Sequence, residues 1–198
     1  RFAAADFEVV EADVLNVELH DLGLPTPYTL CGNLPYNISS PLLFHLARSR
    51  QDIESMTFML QKEVVERVLA QPGGGDYGRL SIMLQLDFVG EHLFDVAPEA
   101  FDPPPAVESS VMQLVPSAKP VDAALRPALE RLLREAFAQR RKTLRNTLKR
   151  RLSAPEIDAL GIDPGARPET LGIDQWLLLA GRLEAETAAQ KKSDTGMS

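Results

Sequence analysis

Four consecutive residues, Asn33-Leu34-Pro35-Tyr36, put an amide, a rigid proline and an aromatic ring directly after an apolar stretch at 28–32. Those types suit one difficult reaction, the methylation of an exocyclic amine on a nucleobase. The lone pair of such an amine is delocalised into the ring, so the nitrogen is a poor nucleophile. The side-chain oxygen of Asn33 and the backbone carbonyls beside Pro35 can accept both amine hydrogens. That holds the nitrogen in line with an electrophile and favours a pyramidal, nucleophilic geometry. Tyr36 adds a flat face on which an unstacked base can lie. The same four residues would close a strand equally well as a plain turn, with Tyr36 in the core.

A second concentration of chemistry is electrostatic. The chain has a formal net charge of −7, which argues against indiscriminate nucleic-acid binding. Between Arg126 and Arg151, however, ten Lys/Arg stand against two acids, a local charge of +8, which leaves −15 for the remainder. Cations gathered in so short a stretch make a candidate polyanion face; the alternative is a solvated helix face with its acids elsewhere in space. His20, His45 and His92 are scattered and Cys31 stands alone, so no metal-ligand cluster is expected. Lys62, Glu63, Glu66 and Arg67 read as a solvated helical face.

These residues need elements to position them. Residues 7–10 and 28–32 read as short buried strands, 39–49 as a helix with Pro41 in its first turn, 55–61 as a strand and 62–70 as a helix. That order suggests α/β layering. Gly73-Gly74-Gly75 lacks a following Lys-Ser/Thr and reads as a loop. The stretches 80–89 and 107–115, separated by Pro98 and Pro103-Pro104-Pro105, look like the antiparallel edge of a mixed sheet. In an open α/β sheet ligands sit beyond the carboxyl ends of the strands, which is where Asn33 falls.

Pro116 to Pro120 marks a linker, and the chain beyond it is helical. Leu125, Leu129, Leu132, Leu133, Ala136 and Phe137 keep the 3.6-residue period. Leu144, Leu148 and Leu152 predict a further helix whose opposite face carries Arg141, Arg145 and Lys149. Ser153 and Glu156 form a capping box, Gly161 closes that short helix, and Asp174 caps a last one burying Trp176, Leu177, Ala180 and Leu183. From about residue 184 the apolar stripe is lost. The division expected is a partial catalytic domain at 1–117, a helical domain at 118–184 and a disordered tail at 185–198.

The composition is that of an ordinary globular chain, 44% hydrophobic and 25% charged. With one cysteine no internal disulfide is possible, and no apolar run approaches the roughly 20 residues of a membrane span, so a cytoplasmic setting is expected. The chain begins at Arg1 without an initiator Met and reads as a segment cut from something longer.

Asn-Leu-Pro-Tyr-Asn-Ile-Ser-Ser-Pro-Leu-Leu at 33–43 resembles the signature of the ribosomal RNA adenine N6-dimethyltransferases of the small-subunit (KsgA/RsmA) type. The resemblance continues through 58–64, 77–81, 100–107, 140–146 and 161–164, nearly the whole chain. It implies the C-terminal part of a Rossmann-like methyltransferase sheet plus a small all-helical domain. It also implies methyl transfer from S-adenosylmethionine to N6 of two adjacent adenosines near the 3′ end of small-subunit ribosomal RNA, during maturation of that subunit. A monomer is expected, although the sequence does not show the oligomeric state.

By this resemblance Asn33, Leu34, Pro35 and Tyr36 match the catalytic motif and Phe101 matches the aromatic that covers the opposite base face. Read alone, Phe101 could simply pack on the prolines after it. Asp13 matches the acid that hydrogen-bonds the cofactor's adenine, with Asn33 beside the cofactor; read alone, Asp13 is a strand-end or turn acid. Arg140, Arg141, Lys142, Arg145 and Lys149 become the surface gripping RNA phosphates, with salt-sensitive, shape-based binding. The family's Gly-rich cofactor loop has no counterpart here, so the 198 residues by themselves are expected to be inactive. Two other readings stay open: a non-catalytic ribosome-binding module of the same fold, and a large-subunit enzyme of the antibiotic-resistance type. The Arg-Arg-Lys-Thr-Leu-Arg-Asn block at 140–146 favours the small-subunit type over the latter.

Overall fold

A computed structural model describes residues 7–119, 121–139 and 141–195. Four strands form one sheet in the order β1-β2-β4-β3: β1 is Tyr28–Asn33, β2 Ile53–Gln61, β3 Phe88–Val96 and β4 Ser109–Pro116. β1 and β2 run parallel, with Cys31 opposite Thr57 and Asn33 opposite Met59. A parallel pair needs a crossover, and α1 (Ser39–Ala47) supplies it. β4 lies antiparallel between β2 and β3.

Alternation fixes what each strand buries. Met56, Phe58 and Leu60 of β2 and Met112 and Leu114 of β4 point into one apolar cluster. α1 contributes Leu42, Leu43 and Leu46, and α2 (Lys62–Leu69) contributes Val64, Val65 and Val68, to the same cluster. A second cluster is helical. In it Leu129, Leu132 and Leu133 of α4 (Arg126–Phe137) meet Trp176, Leu179 and Ala180 of the last helix, and the Phe137 and Trp176 rings stand 5.8 Å apart.

Two expected strands are corrected. Residues 7–10 form no strand, and Phe7, Val9 and Val10 are exposed. Four residues of this kind make a strand only when their main-chain groups find a partner, and 7–10 have none among the described residues. Residues 80–89 are not a strand at their start: α3 covers Arg79–Gln85, and β3 begins at Phe88. Leu80 and Leu84 enter the first cluster while Ile82, Met83 and Leu86 enter the second. α3 is a wall shared by two cores, buried on opposite sides, and a continuous apolar run of that kind has the same texture as a buried strand.

A third correction concerns 144–152. Leu144, Leu148 and Leu152 are buried as their spacing requires, but α5 covers only Leu144–Thr147 and turns follow. Like charges four apart at Arg145 and Lys149 work against a continuous helix. The segment is instead held by Leu144 N–H donating to Ala166 O (2.9 Å) and Arg145 N–H to Pro164 O (3.0 Å). The capping box forms, with Ser153 N–H donating to Glu156 at 2.8 Å ahead of α6 (Ala154–Asp158), and Gly161 closes the turn at φ 73°. α7 begins at Ile173, so Asp174 lies inside its first turn; Gln175 accepts from Gly172 N–H (3.0 Å) in the capping role. The helix runs to Thr195, beyond the end of its apolar stripe, and Leu177 is half-buried while Leu179 is buried.

The sheet and the helices are tied at Asp87, which is 1% exposed. Its carboxylate accepts two hydrogen bonds from Arg126, at 2.6 and 3.0 Å. The Asp87 carbonyl accepts from Ser117 N–H (2.7 Å) and Arg50 Nε (3.1 Å), and Arg50 also donates to Ser117 O. The Asp87 carboxylate holds the Arg126 guanidinium pKa above its ordinary value.

Candidate functional site

The Asn33–Tyr36 turn is shaped by the sheet it leaves. Leu34 N–H donates to Met59 O at 3.1 Å, which carries the β1–β2 register one residue past Asn33. Leu34 is buried, and strand alternation therefore turns the Asn33 side chain outward, where it is exposed. Pro35 ends the extended run, and the chain enters a 3-10 turn at Tyr36–Ile38 that leads into α1. The Pro35 carbonyl accepts from Ile38 N–H (3.2 Å) and from the Ser39 hydroxyl (3.1 Å). Both of its lone pairs are thus used. Among the described residues, the acceptors without a partner on this turn include the Asn33 amide oxygen and the Leu34 carbonyl.

The opposite wall is the excursion between β3 and β4. A 3-10 turn at Pro98–Ala100 presents Phe101, half-buried, and Pro103 follows a cis Asp102–Pro103 bond. Asn33, Leu34, Pro35 and Tyr36, together with Phe101, Pro103 and Pro105, line a shallow hollow of about 330 Å³. That falls at the lower end of ligand-pocket volumes, and it is open to solvent. Tyr36 is not sealed in the core. It is half-buried, and its hydroxyl shares a 2.7 Å hydrogen bond with Ser109 Oγ at the start of β4.

Lys62, expected on a solvated face, instead spans the base of the excursion. Its Nζ lies 3.0 Å from Asp95 and 2.9 Å from Glu108, and its N–H donates to Glu108 O at 3.0 Å. Asp95 also accepts from the Ser110 hydroxyl (2.6 Å) and lies 2.8 Å from His92 Nε2. The Ser110 hydroxyl, then His92 and Lys62, hold the Asp95 carboxyl well below the usual carboxylate range. The Glu108 and Asp95 side chains in turn push the Lys62 ammonium pKa up. Sequence spacing gives no hint of this cluster, because Lys62 and Glu108 are 46 residues apart. Glu63 and Arg67 do form the exposed i,i+4 pair their spacing allows, at 3.5 Å.

Asp13 is exposed and caps the Val14–Asn16 turn, accepting from Leu15 N–H (3.0 Å) and the Asn16 amide (3.1 Å). It does not line the cavity at Asn33. Each of its oxygens keeps a free lone pair, the chemistry that a cofactor's amine would need. His45 Nε2 is used on Val17 O (2.7 Å), and among the described residues no group of three His, Cys, Asp or Glu could hold a metal ion. No described helix is long and apolar enough to cross a membrane.

The basic segment divides in two. Arg126, Arg131 and Arg151 are committed to Asp87, Glu184 and Glu135. Arg141, Lys142, Arg145 and Lys149 are exposed and carry no ion pair among the described residues. Arg140 lies outside the described residues.

The Ribosomal RNA adenine dimethylase family matches residues 3–185 of the chain. A Ribosomal RNA small subunit methyltransferase A from Pseudomonas fluorescens (strain Pf0-1) is 50% identical over 192 residues, which cover 96% of this chain and 71% of the relative. The protein of the same name from Pseudomonas aeruginosa is 58% identical over 153 residues, 77% of this chain and 57% of the relative. Among solved structures, a dimethyladenosine transferase from Plasmodium falciparum superposes with a TM-score of 0.70 at 27% identity, over 87% of this chain and 70% of that one. The 23S rRNA methyltransferase ErmE follows with a TM-score of 0.65 at 29% identity, over 89% and 72%.

Proposed function

The chain belongs to the ribosomal RNA adenine dimethylase family, and from that premise we infer how its cavity serves N6-dimethylation of adenosines in small-subunit ribosomal RNA. The observation that carries the reading is one solvent-open cavity lined by Tyr36, Phe101 and Asn33 together. An adenine drawn out of its stack lies between the two rings, each stacked face contributing about 1–3 kcal/mol. Its amine donates one hydrogen to Asn33 Oδ1 and the other to the Leu34 carbonyl. Pro35 keeps that carbonyl aimed, while its own is occupied by Ile38 and Ser39. Holding both hydrogens restores lone-pair density on nitrogen and aligns it for in-line attack. S-adenosylmethionine, when bound, supplies the electrophilic methyl group, and Asp13 and Asn33 are the residues that would hold it. After transfer the nitrogen sheds a proton to water, so no side chain here needs a tuned pKa.

Docking of the RNA falls to Arg141, Lys142, Arg145 and Lys149, whose free charges suit phosphates. We assign the catalytic work to 1–117 and the docking to 118–184, in a cytoplasmic protein acting as a monomer on the immature small subunit.

The test replaces Tyr36 and Phe101 singly by Ala in the intact protein and follows methyl incorporation into small-subunit RNA. Turnover should fall by about tenfold or more for each, with ribosome binding nearly unchanged. Retained turnover in both variants would remove the base slot from the account.

A further inference from the structure

Three consecutive residues where the excursion rejoins the sheet, Glu108, Ser109 and Ser110, are all engaged by side chains from elsewhere in the fold. Glu108 is held by Lys62, at the first position of α2. Ser109 shares its 2.7 Å hydrogen bond with the Tyr36 hydroxyl, across 73 residues of sequence. Ser110 donates to Asp95, its register partner on β3, at 2.6 Å. Both serines are fully buried. Successive strand side chains point to opposite faces, so the pair reaches two different neighbours from adjacent positions.

The two walls of the cavity are therefore measured from one place. Tyr36 is fixed at its backbone by the 3-10 turn and at its far end by Ser109. A phenol pinned at both ends cannot tilt about its side-chain torsions. Phe101 has no polar handle, and its position depends on the stems of its loop. Asp95 near the outgoing stem and Glu108 on the returning stem are bridged by the single ammonium of Lys62. Asp95 is in turn locked to Ser110 and His92.

Resting on the base-slot reading above, we propose that Ser109, backed by the Lys62 bridge, is a positioning residue that acts through the Tyr36 hydroxyl to set the gap between Tyr36 and Phe101. A slot held at the width of a purine ring presents the amine to Asn33 and Leu34 at productive distance. A slack slot still admits the base but holds it in many poses. The loss then falls on kcat, because the RNA is gripped elsewhere, by the cations of 141–149.

The experiment is a double-mutant cycle in the intact protein, with Ser109→Ala, Tyr36→Phe and the two combined. Tyr36→Phe keeps the stacking ring and removes only the hydroxyl, and it leaves the buried serine untouched should Ser109→Ala fold poorly. Each single change should lower kcat about tenfold with little change in KM for the RNA. The combined variant should be no slower than either alone, because one hydrogen bond cannot be lost twice. Lys62→Met should lower kcat in the same sense and add to the effect of Ser109→Ala, since it slackens the other wall. Losses that multiply between Ser109 and Tyr36, or wild-type kcat in either single variant, would overturn the inference alone. An unsubstituted protein that transfers no methyl group to the RNA would bring down the base-slot reading, and this inference with it.

Discussion

Replacing Arg126 by Met should cost far more stability than replacing Asp87 by Asn, although both changes break the same pair. The reason lies in unequal burial. The Asp87 side chain is 1% exposed, whereas a third of the Arg126 side chain still meets solvent. With Arg126 gone, a carboxylate that accepted bonds at 2.6 and 3.0 Å is left buried without its cation. Breaking a buried pair in this way costs about 3–5 kcal/mol, and the partial exposure of Arg126 places the loss near 3. With Asp87 as Asn, the guanidinium can turn outward to water and the amide oxygen still accepts one bond, so the cost should be about 1–2 kcal/mol. Urea unfolding followed by circular dichroism reads both. With a slope of about 2 kcal/mol/M, Arg126→Met should lower the midpoint by roughly 1.5 M. Pairing Arg126→Met with Asp87→Leu should recover much of the loss, since two apolar groups leave no stranded charge. A loss below about 1 kcal/mol for Arg126→Met, or a larger one for Asp87→Asn, would refute the argument.

Reversing charge at Arg141 and Arg145 should weaken RNA binding and reduce the slope of log K against log salt by about 1.4, at roughly 0.7 per phosphate contact on single strands; filter binding across a salt series checks it. Tyr77 is 3% exposed, and among the described residues its hydroxyl has no hydrogen-bond partner. Burial pushes its pKa up to about 12. Its folded-state pKa therefore lies above the ordinary value near 10, and the stability linked to it is intact below pH 10 and is lost as pH rises toward 12. Tyr77→Phe should remove that alkaline loss and leave stability at neutral pH equal or higher by about 1 kcal/mol, as read from unfolding midpoints between pH 7 and 12.

What could be read from the sequence was local. The 28–32 strand, the helix after Ser39, α2, the apolar period of α4 and the Ser153–Glu156 box rest on neighbours within a turn or two, and these formed as their residues require. The Asn33–Tyr36 turn belongs with them, because a proline straight after a strand ends the extended run. What could not be read depends on partners far along the chain. α3 has a strand-like texture because two cores claim its opposite sides. Residues 7–10 carry strand-forming side chains without a neighbour to pair with among the described residues. The leucines at 144, 148 and 152 are buried, yet the backbone between them is bent by bonds to 164 and 166, which no periodicity contains. Lys62 and Ser109 could not be placed at the site from their surroundings in sequence; only the sheet register brings them to Glu108, Asp95 and Tyr36.

The helix at 79–85 has a bearing on whether the protein can be divided. A truncation at the Pro116–Pro120 connection would strip the covering from Tyr77, Ile82, Met83 and Leu86 and leave a greasy strip on the severed piece. Proteolysis there, or separate expression of the two segments, should yield products that clump or re-associate rather than independent soluble halves. The cavity beside Asn33 and the exposed cations of 141–149 are in this way obliged to fold, and to fail, together.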